Sequence, residues 1–152
     1  MRIARVNRSD RLATIGRGWI DPRPRTAILA VGDVTVLLVV VAAGLLEHGL
    51  NPLSRPVYVL VTAIPFLLGW LVVAPFLGAY ARTWWRRPIA GVVALVPIWV
   101  VAAWVGAQIR ATALFPGGAQ TVFVLVMIGS GLVALVPWRL VATAGARCYR
   151  QQ

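Results

Sequence analysis

With 152 residues, of which 60% are hydrophobic and 12% charged, the chain cannot be an ordinary soluble domain, whose composition includes about 25% charged residues. Its mean hydropathy is +0.82, and its length admits one domain of roughly four membrane spans with little left for a second, soluble unit. All 15 basic residues are Arg, set against Asp10, Asp21, Asp33 and Glu47 for a net charge of +11, and the single Cys148 excludes an internal disulfide and a Cys-based metal site.

Residues 1–25 are a basic leader holding Arg2, Arg5, Arg8, Arg11, Arg17, Arg23 and Arg25. Two readings suit it. Leu12, Ile15 and Trp19 recur at helical spacing, so a short helix from Ser9 would lie on the membrane surface. Gly16 and Gly18 weaken such a helix, and a disordered basic tail is the alternative. Asp21-Pro22-Arg23-Pro24 breaks the leader, and Thr26 stands where a cap for the next element belongs.

Four apolar runs follow, at approximately 26–46, 57–80, 88–109 and 119–140. They are too long, and too little alternating, for barrel strands, so helices are predicted. The first covers about 31 Å as a helix, a match to the bilayer core. It is also too long, behind too long a leader, for a cleaved signal peptide. The fold class is therefore all-α, an integral membrane four-helix bundle, organised as leader 1–25, transmembrane domain 26–143 and a short basic tail 144–152.

Arginine placement predicts the orientation. With four spans, the side shared by the two ends collects 13 Arg: seven in the leader, Arg82, Arg86 and Arg87, then Arg139, Arg147 and Arg150. Only Arg55 and Arg110 remain opposite. Both termini are expected in the cytoplasm, with the protein multi-pass in the cytoplasmic membrane. This pattern also accounts for the basic charge, so no nucleic-acid partner is expected; the partners are the bilayer and, through the leader, anionic headgroups.

Tyr80, Trp84, Trp85 and Trp138 are placed as interfacial anchors, whereas Trp70 and Trp99 fall mid-span, where each indole N–H needs a partner. Pro65, Pro75, Pro97 and Pro137 interrupt helices; ordinary kinks and a bent cavity wall near Pro65 and Pro97 both fit. Ala74 with Gly78, Ala102 with Gly106, and Ser130 with Ala134 allow close helix approach, within one chain or between copies, so a homo-oligomer is an expected assembly.

Asp33 is the one charge inside the first run. It lies eight residues past Arg25, about 12 Å inward by helical rise. On the lipid face a carboxylate there costs at least about 2.5 kcal/mol, so it should face the bundle, paired or protonated. Arg139 returns to the same depth on the fourth helix, and Trp70 and Thr35 are further hydrogen-bonding candidates. Asp33, Arg139 and Trp70 form the candidate intramembrane polar site. It is either a clasp fixing helix register or a proton- or cation-linked carboxyl.

A second candidate cluster, Glu47, His48 and Arg110, marks the opposite ends of the first and third helices, with a Glu47–Arg110 interfacial ion pair as the simplest expectation. His48 lacks the companions a metal site needs. No nucleophile–base pair, phosphate loop or cofactor motif occurs, so neither enzymatic activity nor a cofactor is expected.

Several landmarks together resemble a prokaryotic membrane family, domain of unknown function 3054. They are Gly32-Asp33, His48, Pro65-Phe66-Leu67-Leu68-Gly69-Trp70, Gly78-Ala79-Tyr80 and Trp138-Arg139, across Thr26 to Thr143. The resemblance implies four membrane helices and no assigned activity. Small four-helix multidrug exporters are similar in helix count and in one acidic residue on the first helix, but their sequence pattern is not present here. Two function classes follow: a small transporter or permease-like subunit using Asp33, or a non-catalytic scaffold or assembly partner in which the Asp is structural.

Overall fold

The computed structural model describes residues 20, 23–81, 87–115 and 118–148. Among these described residues are four helices, α1 (Pro24–Glu47), α2 (Pro56–Phe76), α3 (Pro88–Arg110) and α4 (Thr121–Cys148), each long and apolar enough to cross a membrane. Pro24, Pro56 and Pro88 open the first three, at the position where a missing N–H costs nothing. Arg23, and not the expected Thr26, occupies the N-cap of α1; Thr26 lies inside the first turn with its hydroxyl buried.

Going round the bundle, α1 packs on α2, α2 on α3, α3 on α4 and α4 on α1, so α1 and α3 are diagonal, as are α2 and α4. One end of the bundle carries Arg23, Arg25, Arg87 and Arg139; the far end carries Arg55 and Arg110. The outward faces present Val31, Val57, Ile89 and Val133, 66–78% exposed, which suits acyl chains and not water. Inside lie Leu29, Leu37, Phe66, Trp70, Leu95, Trp99 and Leu135.

Two helix ends are set by left-handed glycines. Gly49 (φ 73°) follows α1, and Leu50 N–H reaches back to the Leu45 carbonyl at 2.9 Å. Gly78 (φ 75°) follows α2, with Ala79 N–H on the Ala74 carbonyl at 2.8 Å and Gly78 N–H on that of Pro75 at 3.2 Å. These are Schellman closures. The second ends α2 at Phe76, short of the expected residue 80, and turns Ala79 and Tyr80 back into the bundle. At the other extreme α4 continues past residue 140 to Cys148, since Pro137 does not break it and no left-handed turn intervenes.

The α2–α3 seam is backbone on backbone. A Cβ on Gly69 would strike the Ala102 carbonyl, and one on Gly106 would lie 2.8 Å from Phe66 Cα and 3.0 Å from the Pro65 carbonyl. Pro65, fully buried, is thus part of this close seam. Trp99 fills the space left by Gly131 on α4 and donates its indole N–H to the Ile128 carbonyl at 3.0 Å. The expected leader helix, Arg82, Trp84, Trp85, Arg86 and the Pro116-Gly117 part of the third connection lie outside the described residues.

Candidate functional site

Asp33 of α1 and Arg139 of α4 meet at the arginine-rich end, both side chains fully buried. Arg139 Nε donates to Oδ1 at 2.9 Å and Nη2 to Oδ2 at 2.5 Å, a two-pronged, charge-assisted pair. The Tyr80 hydroxyl donates to Oδ2 at 2.9 Å, and the Trp138 indole N–H donates to Oδ1 at 3.2 Å. A carboxylate offers about four acceptor positions, and these four donors fill them. Trp70 supports the group from behind: its indole N–H donates to the Tyr80 hydroxyl oxygen at 3.0 Å.

Each partner arrives for a local reason. Gly32 has no side chain, and a Cβ there would overlap the Trp138 ring, so the glycine admits α4 to Asp33. The Gly78 turn frees the Ala79 carbonyl, which accepts from Arg139 Nη1 at 2.6 Å. The next residue, Tyr80, is gripped from outside as well, in an isolated backbone bridge with Ile20. The guanidinium lies 5.6 Å from the Trp70 ring and 5.1 Å from that of Tyr80, within cation–π range. Trp70 in turn meets Trp99 edge-on at 5.8 Å, tying the site to the core.

The structure brings Asp33, Arg139 and Trp70 together, with differences from the expected contacts. Trp70 reaches Tyr80 and not the carboxylate. Thr35 is exposed and donates to the Val31 carbonyl at 2.9 Å, because two residues along a helix is a turn of about 200° away from Asp33. Tyr80 and Trp138 are site donors where interfacial anchoring was expected. The signals for them were present: a glycine two residues before Tyr80, and Gly32 beside Asp33 leaving room for a ring.

The far-end residues do not assemble as expected. Glu47 and His48 are exposed, while Arg110 is 7% exposed and lies over the Phe123 ring at 4.9 Å from its centroid. Glu47 and Arg110 form no ion pair, since their helices are diagonal. Among the described residues no three His, Cys, Asp or Glu side chains come together to hold a metal ion.

No curated protein and no solved structure matches the chain. A family profile does, described as protein of unknown function (DUF3054), over residues 30–142. That interval runs from just ahead of Gly32 and Asp33 to just past Arg139, enclosing the whole clasp, and the chain belongs to this family.

Proposed function

We propose that the chain is a non-catalytic membrane scaffold or assembly partner whose first and last helices are held in register by the Asp33–Arg139 clasp. The observation that supports this reading is the saturation of Asp33: four donors occupy its oxygens, and both charged side chains are sealed from solvent. Proton- or cation-linked movement needs a carboxyl that exchanges its partner with water, and a paired, fully donated carboxylate resists that exchange. In this reading the partners are anionic headgroups, met by the Arg-rich leader, and other membrane helices or further copies of the chain, met by the lipid-facing sides.

The test is proton flux in vesicles reconstituted with the protein. A pH gradient should decay as in protein-free vesicles, and Asp33→Asn should change nothing. A leak above that baseline which Asp33→Asn abolishes would replace the scaffold by a proton-linked transporter.

The orientation belonging to this proposal puts the arginine-rich end in the cytoplasm and the protein in the cytoplasmic membrane, from the 13-to-2 division of Arg. Leu53, 90% exposed between α1 and α2, checks it. Leu53→Cys in a Cys148→Ser background should react with a membrane-impermeant maleimide on intact cells. Labelling only after lysis would reverse the topology.

A further inference from the structure

At the far end a cleft of about 330 Å³ opens between α1 and α4, with α2 behind it. Val41, Leu45, Phe123 and Met127 wall it. The exposed Gly44 and Val126 place its mouth on the lipid-facing side, and Glu47 stands at its rim. The volume is within the range of about 300–1,000 Å³ typical of small-ligand sites. The opening has a local reason: Gly44 brings no side chain to it, and a Cβ there would meet nothing within 4 Å.

α2 contributes one residue to the lining, Thr62, which is 7% exposed. Its hydroxyl makes no hydrogen bond among the described residues. Thr35, Ser130 and Thr143 behave otherwise: each, also inside a helix, donates to the carbonyl four residues earlier. Nor is the Thr62 hydroxyl shut inside protein, as that of Thr26 is, so it faces the cleft. A hydroxyl left unmet in apolar surroundings is costly, so a hydrogen-bonding partner belongs there. Thr62 lies six residues into α2 from Pro56, about 9 Å from the helix end by helical rise. That level is inside the hydrocarbon, where a charged partner is expensive, and Glu47 at the rim turns anions away.

We infer that the cleft is a binding site for a neutral, membrane-soluble carbonyl compound, which enters sideways from the bilayer past Gly44. Its apolar body lies along Val41, Leu45, Phe123 and Met127, and its carbonyl oxygen accepts from the Thr62 hydroxyl. Such a molecule supplies the one acceptor the cleft lacks and carries no charge to desolvate. The site is at the opposite end of the bundle from the clasp and does not depend on the scaffold reading.

Photolabelling of the full chain in lipid vesicles tests it, with benzophenone as the probe: a neutral diaryl ketone whose excited carbonyl adds to a neighbouring C–H bond. Intact mass counts the adducts, and peptide mapping places them. The expected result is one saturable adduct on a cleft residue. At equal membrane mole fraction, 2-undecanone should compete about fivefold better than undecane, the scale of one neutral hydrogen bond. Thr62→Val should erase that preference and Thr62→Ser should keep it. Gly44→Leu should abolish the adduct by filling the mouth, and the helix gains from losing a glycine. Equal competition by ketone and alkane would overturn the carbonyl assignment. Adduct formation unaffected by Gly44→Leu, in protein with wild-type melting, would overturn the cleft. No saturable adduct on the wild-type chain would mean that lipid acyl chains fill the space, and the proposal would fall.

Discussion

Asp33→Asn is expected to lower the melting temperature in detergent by roughly 10 °C or more, since removing one partner of a buried pair costs about 3–5 kcal/mol. The reason is what it strands. Arg139 would keep its charge, fully buried, with an amide that offers one acceptor oxygen in place of two. It cannot shed that charge, because a guanidinium does not deprotonate in proteins.

Arg139→Gln should cost less. The carboxylate left behind keeps the Tyr80 and Trp138 donors and can take up a proton. Tyr80→Phe should cost about 1–3 kcal/mol, because the Trp70 indole N–H then has no acceptor and Asp33 loses one donor. The double change Asp33→Asn with Arg139→Gln should be no worse than Asp33→Asn alone, since both charges leave together. Melting curves for these four variants separate the cases. Losses that simply add would show that the two side chains do not act as a unit, and the clasp would cease to be the register lock.

Gly69→Ala is the second large effect. Overpacking usually costs about 1–3 kcal/mol, and this site belongs at or above the top of that range. The added Cβ would meet the Ala102 carbonyl and the Gly106 backbone, neither of which can rotate away. Relief requires α2 and α3 to separate along their whole seam. Gly129→Ala is the matched control: a Cβ there meets nothing within 4 Å, so the change should stabilise by about 0.5–1 kcal/mol through helix propensity alone. Melting both variants in the same detergent decides it, and similar values for the two would show that the seam yields.

The membrane class and the four spans were legible from composition and run length, because a bilayer imposes its thickness on any chain that crosses it. The pairing of Asp33 with Arg139 was legible as well, from depth: a buried charge needs a partner, and the α4 arginine returns to its level. Depth is a one-dimensional coordinate, and it failed where position around the bundle mattered. Glu47 and Arg110 share a level yet sit on diagonal helices. Thr35 is near Asp33 in level and faces away.

By itself, then, the sequence determined the solvent, the number of helices and the existence of one intramembrane carboxylate in need of a cation. Those follow from transfer free energies, which sum residue by residue along the chain. Only the tertiary structure decided that Tyr80 and Trp138 complete the carboxylate, that Gly69 and Gly106 join α2 to α3, and that Glu47 and Arg110 stay apart. Those depend on which helices are neighbours and on how a turn at Gly78 redirects the chain, and no local pattern encodes the order of helices around a bundle.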